Sequence, residues 1–256
     1  MKTVKGMLFI TGLASFVGTL AATMPAFAQA TCPCPPEPTP GWHGSVGAGL
    51  SFTGGNSDTQ NVGLSFDVTY DPKTKNVFKA DGLYIRNKTS SELSADRSTV
   101  GLRDEYALSK RAYLFGEARY LRDRFKDLSY LVTPLVGAGY RVVDTDKVRF
   151  NVDGSLGGAF EKLQDVDGTS DGAFRLGQSL SWQISKGAKL TQGGWGLWKM
   201  SDTSDSYYHV EVALASSISS RLELKLGFVD DYKNKPATAG LKKNDTAFLA
   251  NVVVKF

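Results

Sequence analysis

Cysteine and histidine are scarce in this chain of 256 residues, which has two of each. A structural zinc site takes four cysteine or histidine ligands, and a disulfide framework needs cysteines spread along the fold. Cys32 and Cys34 are separated by a single residue near the N-terminus, and no second pair accompanies them. The composition therefore excludes a fold built on metal or disulfides, and we expect no metal and no cofactor.

Long apolar segments are also missing after residue 30. That part of the chain has no run of the roughly twenty consecutive apolar residues that form a membrane-spanning helix. The formal net charge of +4, with both signs interspersed, is too small to indicate a nucleic-acid partner. If such a chain is exported, it is a periplasmic protein, an extracellular protein or an outer-membrane β-barrel.

Export is indicated by residues 1–30. Lys2 and Lys5 precede an apolar stretch that ends near Ala22, and the small residues Ala28 and Ala30 follow. This is the order of a secretory signal peptide, and we expect cleavage near Ala28 or Ala30. A retained membrane anchor is the alternative, although glycines interrupt the apolar stretch.

Residues 31–40 contain five of the nine prolines and both cysteines. Because proline fixes φ and lacks a backbone donor, we expect an extended periplasmic spacer outside the fold. The Cys-Pro-Cys sequence allows a metal-binding pair, a strained ring disulfide or lipid attachment at Cys32. A flexible tail with oxidised or partner-linked cysteines is the simplest interpretation.

Residues 41–256 alternate apolar and polar side chains in about twelve segments of about ten residues each. In the last segment, Phe248, Val252, Val254 and Phe256 share one face. Successive side chains of a strand point to opposite faces, so each segment predicts a strand between an apolar and a polar medium. The pattern predicts an all-β fold, a transmembrane antiparallel up-and-down β-barrel of about twelve strands.

Two regularities favour this barrel over a soluble β-sandwich. Short connectors, such as those at Asp71, Ser109 and Asp144, alternate with connectors that are mostly longer and more polar. Outer-membrane barrels have short periplasmic turns and longer external loops, so an even number of strands places both termini in the periplasm. Aromatic residues near the strand ends are typical of the girdles at the two membrane interfaces.

Two segments fit the pattern less well. Asp104 falls on the apolar face of its strand, which either a bulge or a position at the lipid headgroups would explain. The glycine-rich ninth segment, near Lys189, has ambiguous faces.

Charged residues occupy the face opposite the apolar one, and we expect them to line the lumen. These residues are Glu117, Arg119, Arg149, Asp153, Arg175, His209, Glu211, Glu223 and Lys225. Candidate pairs are Arg149 with Asp153, Glu117 with Arg119, and Glu223 with Lys225. Such pairs would either plug the lumen or line a narrow passage for ions and small polar solutes.

The expected partners follow from the membrane. The face of Phe248, Val252, Val254 and Phe256 looks like the C-terminal signal that the barrel-assembly machinery reads. Outer-membrane lipid would surround the barrel, and the basic loop Lys233 to Asn244 would either meet lipopolysaccharide phosphates or remain solvated. We expect a monomer in the Gram-negative outer membrane.

The sequence gives little indication of a catalytic site. His43 and His209 supply the two imidazoles, and no serine motif accompanies either. A structural His209, hydrogen-bonded near Glu211, is the simpler interpretation. Residues 165–171 resemble the start of a calcium loop, but Leu176 stands where the required glutamate would be, which favours ordinary turn chemistry. We therefore expect no catalytic residues.

The opening hairpin, from Gly49 to Tyr70, reads GLSFTGGNSDTQNVGLSFDVTY. It resembles the salt-induced outer-membrane protein family, most specifically at the GNSDT turn, Gly55 to Thr59, and more loosely as far as Phe256. The resemblance implies an outer-membrane barrel of unknown activity that is associated with salt or osmotic stress. We expect an envelope protein or a narrow channel. The alternatives are a structural or adhesion barrel acting through its loops and tail, and a barrel hydrolase.

Overall fold

The computed structural model describes residues 40–54, 59–89, 92–124, 127–236 and 240–256. Within these residues the chain forms one antiparallel sheet that closes into a barrel. The predicted signal peptide and all of the Cys/Pro-rich spacer before residue 40 lie outside the described residues. No helix in the described ranges is long and apolar enough to span a membrane.

The described residues form twelve strands, and each pairs with its neighbours in sequence. The strands are β1 (Gly41–Gly54), β2 (Thr59–Asp71), β3 (Asn76–Thr89), β4 (Glu92–Ala107), β5 (Ala112–Asp123), β6 (Leu128–Asp144), β7 (Val148–Leu163), β8 (Thr169–Ser185), β9 (Ala188–Lys199), β10 (Ser206–Ser217), β11 (Leu222–Lys233) and β12 (Asn244–Lys255). The sheet closes where β12 pairs with β1. The predicted fold class and the predicted number of strands are confirmed.

The strands are longer than the sequence pattern predicts, and strands such as β5 and β6 span 12 and 17 residues. Their ends continue into segments that we expected to be loops. The polar sequence from Thr89 to Asp96 is typical of a loop, for example, yet β3 ends at Thr89 and β4 begins at Glu92. Backbone pairing therefore extends beyond the alternating part of the sequence, because a ladder does not depend on apolar side chains.

The two ends of the barrel differ in their connections. At one end, here called the short-turn end, the connections are residues 72–75, 108–111, 145–147, 186–187 and 218–221, and β1 begins and β12 ends there. At the other end, the long-loop end, the connections are residues 55–58, 90–91, 124–127, 164–168, 200–205 and 234–243. The predicted alternation of connector length is only partly confirmed: the last three long-loop connections exceed every short turn, whereas 55–58 and 124–127 have four residues and 90–91 has two.

The outer surface of the barrel carries a band of exposed apolar side chains. Exposed residues in this outer band include Val46, Leu50, Leu64, Leu102, Val136, Leu156, Leu176, Leu214, Leu226, Phe248, Val252 and Val254. Soluble monomers rarely expose so large an apolar area, whereas a lipid bilayer requires one. Aromatic contacts border the band, such as Trp42 with Tyr70, whose ring centroids are 4.8 Å apart.

The two irregular segments have simple explanations. Asp104 is exposed on the outer face near the short-turn end, where Asn76 Nδ2 donates to its carboxylate at 3.2 Å. The register between β4 and β5 runs without a shift from Arg97 to Ala107, so no bulge repositions Asp104. In β9, Trp195 and Leu197 line the interior, so the face of the glycine-rich segment that carries them is the inward one.

The seam between the first and last strands is formed by a continuous register from Ser45–Lys255 to Gly54–Thr246. Beyond it, Gly44 N donates to Phe256 O at 3.0 Å and Phe256 N donates to Gly44 O at 2.9 Å. A Cβ on residue 44 would lie 2.6 Å from the Phe256 ring and 2.8 Å from the backbone oxygen of Asp67, so both contacts favour glycine there. This pairing of the last strand with the first is the one that the predicted up-and-down barrel requires.

Deletion of Phe256 is expected to lower the amount of folded barrel in the outer membrane several-fold. Its side chain is 63% exposed, so its burial contributes little to stability, and the two backbone hydrogen bonds to Gly44 contribute about 1 kcal/mol each. A loss beyond these small contributions would reflect recognition by the assembly machinery. Heat-modifiable electrophoretic mobility in membrane fractions measures the folded fraction.

Gly44→Ala is the matched control, because it crowds the ring while retaining the terminal phenylalanine. Equal losses in the two variants, or unchanged levels after the deletion, would show that Phe256 is not an assembly signal.

Candidate functional site

The lumen contains a cluster of charged side chains from β3, β4, β5, β7 and β8, here called the central ion network. Its four bases and four acids are Lys79, Arg103, Arg119, Arg175, Asp81, Glu105, Glu117 and Asp153. Inward-facing charges on adjacent strands would repel or remain unpaired unless signs alternate around the wall. The equal numbers of the two signs allow the network to neutralise itself.

Arg103 lies at the centre of this network. Its guanidinium donates to Glu105 and Glu117 at 2.9 Å and to Asp153 at 3.1 Å, so it joins β4 to β5 and β7. The guanidinium carbon also lies 3.6 Å from the centroid of the Phe115 ring, a cation–π contact. Arginine suits this position because its planar fork can bind several carboxylates at once.

The long-loop end of the lumen is closed by apolar side chains. Leu121, Leu131, Leu197 and Tyr207 belong to one buried cluster. Ile85, Val229, Ala247 and Leu249 form a second. All are carried by strands, so the closure needs no inserted loop.

Two ion pairs at the same end connect strands that are four or more positions apart in the ring, and we call them the cross-lumen pairs. Arg97 of β4 contacts Asp231 of β11, and Lys233 of β11 contacts Glu161 of β7. The side chains of Asp231 and Glu161 are only 1% and 4% exposed. Because β4 and β11 lie on nearly opposite sides of the ring of strands, the Arg97–Asp231 pair crosses the lumen.

Below this closure the lumen encloses a chamber of about 910 Å³. Its exposed charges lie towards the short-turn end, where the side chains of Asp67 and Arg149 are 62% and 65% exposed. Its other limit includes Arg97, Tyr207 and Asp231, which belong to the closure. The chamber therefore communicates with solvent at one end of the barrel and is blocked at the other.

The predicted lumen residues are distributed around this chamber. Eight of them line it: Glu117, Arg119, Arg149, Asp153, Arg175, His209, Glu211 and Lys225. The ninth, Glu223, is the second residue of β11, at the short-turn end, and accepts a hydrogen bond from Lys255 at 2.8 Å. The structure thus brings eight of the nine into one cavity.

The predicted pairings are mostly wrong. Arg149 contacts Asp144 at 3.6 Å, whereas Asp153 binds Arg103 and Arg175. The reason is geometric, since residues four apart on one strand are separated by about 13 Å. Glu223 is bonded by Lys255 of the neighbouring β12, whereas the partner of Lys225 is on β2, three strands away in the ring.

Lys225 lies 3.9 Å from Asp67. Only Glu117 and Arg119 approach each other as predicted, at 3.7 Å, and Glu117 is closer to Arg103.

His209 is held by a different carboxylate from the one we predicted. Its Nδ1 lies 2.8 Å from Asp231 Oδ1, and its ring stacks on Trp195 with centroids 5.3 Å apart. Register explains the change, because His209 faces Asp231 directly across β10 and β11. His43 lies at the start of β1, at the opposite end of the barrel. The two imidazoles are therefore not part of one site.

The acidic segment before β8 has no calcium-loop geometry. Thr169 and Asp171 are already in β8, where the Asp171 carboxylate binds Ser201. Among the described residues, no group of three or more His, Cys, Asp or Glu side chains is placed to hold a metal.

The basic loop is less available than its sequence indicates. Lys233 points into the lumen at Glu161, and Lys235 binds Asp202. The hydrogen bond from Lys235 lowers the pKa of Asp202 to about 2. That carboxylate consequently stays ionised in mild acid, and protonation would release the contact only as the pH falls towards 2.

Several charged lumen side chains were not predicted from the sequence. Arg103 was missed because Asp104 obscured which face of its strand points inward. Lys199 and Lys233 are the last residues of β9 and β11, where the pattern gives way to loop-like sequence. Asp231 follows a clear alternation along β11 that could have identified it.

The closed sheet, apolar exterior and charged lumen define the class of protein as a β-barrel of the outer-membrane type. The NanC porin has the same fold, with a TM-score of 0.56 and 10% identity over 82% of this chain and 100% of its own. An outer membrane channel from Pseudomonas putida F1 gives a TM-score of 0.50 and 12% identity over 86% of this chain and 97% of its own. At these identities the likeness establishes the fold.

The chain belongs to the family described as "Protein of unknown function, DUF481", whose model matches residues 46–256. The uncharacterized protein YdiY of Escherichia coli strain K12 is 21% identical over 204 residues, which cover 80% of this chain and 79% of that protein. The predicted membership in a barrel family of unknown function is confirmed. Its association with salt stays a prediction.

Replacing Arg103 by methionine is expected to lower the free energy of unfolding by about 3–5 kcal/mol. The change leaves the nearly buried Glu117 carboxylate, 2% exposed, without its closest cation. Urea unfolding of the barrel in lipid vesicles measures the effect.

Arg149→Met is the matched control, because its pair with Asp144 is solvent-exposed and should contribute about 0–1 kcal/mol. Similar losses in both variants would contradict a stabilising role specific to the central ion network.

Proposed function

We propose that this protein is a narrow outer-membrane channel for ions or small polar solutes, and that its resting state is closed. The observation that carries the proposal is the solvent-connected, charged chamber, which ends at a closure to which strand side chains contribute. A structural barrel has no need of a charged cavity, since inward charges are costly unless paired or hydrated. Side chains can change rotamer, so this closure can open without unfolding the sheet.

The orientation is part of the proposal. With both termini in the periplasm, the short-turn end and the mouth of the chamber would face the periplasm. The cross-lumen pairs would then lie near the cell surface. At rest, the chamber would exchange solutes with the periplasm. Opening of the closure would then connect the chamber to the cell exterior.

The association with salt or osmotic stress also belongs to the proposal. The closure depends partly on ion pairs, and salt weakens ion pairs by screening. Burial reduces that screening, so high ionic strength would favour opening without being sufficient for it.

The proposed partners are those of a monomeric outer-membrane barrel. The apolar outer band would contact lipid, and the C-terminal face with Phe256 would be read by the assembly machinery. Of the basic loop, Lys242 and Lys243 remain exposed and would meet lipopolysaccharide phosphates.

A structural or adhesion barrel is the second candidate. The observation that favours it is the extent of the closure, since Asp231 and Glu161 are almost inaccessible. Catalysis has less support, because His209 is oriented by Asp231 but contacts the indole of Trp195 rather than a nucleophile.

Removing a cross-lumen pair is expected to open the channel. Asp231→Asn and Glu161→Gln both keep the shape of the side chain. The first removes the charge that holds Arg97, and the second removes the charge that holds Lys199 and Lys233. If each change costs the closed state about 1.4 kcal/mol or more, the open-to-closed ratio rises about tenfold or more. Single-channel recording in planar bilayers measures the open probability.

Asp202→Asn, which removes an ion pair outside the lumen, is the control and should leave the open probability unchanged. Absence of discrete current from the wild type and from both lumen variants, all shown to be folded, would refute the channel and leave the structural role.

A further inference from the structure

We propose that the mouth of the chamber binds small zwitterionic solutes, with Asp67 and Glu211 receiving the ammonium group and Lys189 and Arg149 the carboxylate. The inference rests on the proposed channel, because it names the class of solute that the same chamber admits. It concerns binding in the resting state, which requires no opening of the closure.

The chamber as a whole has no excess of either sign. The described residues that line it include nine Lys or Arg and nine Asp or Glu side chains. A channel selective for anions or cations needs a lining of predominantly one sign. A balanced lining instead favours solutes that carry both charges, because each end of the solute can meet its complement.

Charges at the mouth are paired loosely, in contrast to those deeper in the lumen. Lys225 lies 3.9 Å from Asp67, whereas the bonds of Arg103 are 2.9–3.1 Å long. In the described part of the chain, no ion-pair partner lies within 4.0 Å of Lys189 or Glu211. These groups therefore keep hydrogen-bonding capacity for a solute.

Asp67 comes from a different part of the wall from Lys189 and Lys225, and Glu211 lies on β10, four residues deeper in the lumen than Ala215. Lys189 and Lys225 both face Ala215, on either side of β10, so they form a basic surface across β9 to β11. Asp67 is supplied by β2, and its carboxylate interacts electrostatically with Lys225, Lys189 and Glu211 across the mouth. A bound zwitterion would align its dipole between these surfaces.

Small side chains leave room between the charged groups. Those lining this part of the chamber are Ser65, Ser179, Ser181, Thr191, Gly193 and Ala213. The hydroxyl groups of the three serines and of Thr191 can also donate hydrogen bonds to a solute carboxylate. The mouth is thus a polar recess for a small molecule, whereas the central ion network is already filled by its own contacts.

Three solutes with the same four-carbon skeleton test the assignment: 4-aminobutyrate, butyrate and butylamine. Isothermal titration calorimetry on the purified full-length barrel in detergent is expected to give at least about tenfold tighter binding for 4-aminobutyrate. Lys189→Gln and Asp67→Asn should each weaken that binding about tenfold, since either change leaves one end of the solute unpaired.

Lys147→Gln, in an exposed turn outside the chamber, is the control and should bind 4-aminobutyrate as the wild type does. If butyrate binds as tightly as 4-aminobutyrate or more tightly, the site is an anion site. If butylamine does so, it is a cation site. Either result overturns the inference. No binding of 4-aminobutyrate, or binding unaffected by both lumen substitutions, overturns it as well. Failure of the channel appears separately, as missing current in variants that still bind the solute.

Discussion

The pairing of β12 with β1 is the contact on which the rest of the molecule depends. Inside a bilayer, no water is available to bond the donors and acceptors of an open sheet edge, so a membrane-spanning sheet must close. The hydrogen bonds between Gly44 and Phe256 extend that closure to the last residue of the chain. Once the sheet is closed, alternation along every strand separates an apolar exterior from an enclosed lumen.

Closure of the sheet also determines which partners the inward-facing charged side chains can reach. A charged side chain in the lumen has only the opposite wall, its neighbours and trapped water as partners. On one side of the lumen, Arg103 gathers the carboxylates of three strands into the central ion network. At the long-loop end, Arg97 and Asp231 meet across the lumen and help to block it. The remaining charges, near Asp67 and Lys189, surround space that solvent can enter.

Much of the fold could be predicted because alternation is a local property of the sequence. The strand number, the up-and-down order and the closing pair follow from Trp42 to Phe256 without knowledge of any contact. The ends of strands such as β3 could not be predicted, since backbone hydrogen bonds continue where the side-chain pattern stops. The lumen partners could not be predicted either. Arg149 and Asp153 share a strand but lie too far apart, whereas Arg97 and Asp231 meet only because a closed sheet brings their strands to opposite walls.

The most direct test of this account is the accessibility of the lumen from each end. A cysteine at Ser179, in the chamber, and another at Ala173, within the closure, would be labelled with a small membrane-impermeant thiol reagent in proteoliposomes of known barrel orientation. Cys32 and Cys34 would be replaced by serine in both proteins. The account predicts labelling of Ser179→Cys from the short-turn side alone and none of Ala173→Cys from either side. Equal labelling of Ser179→Cys from both sides would show an open pore and contradict the closure.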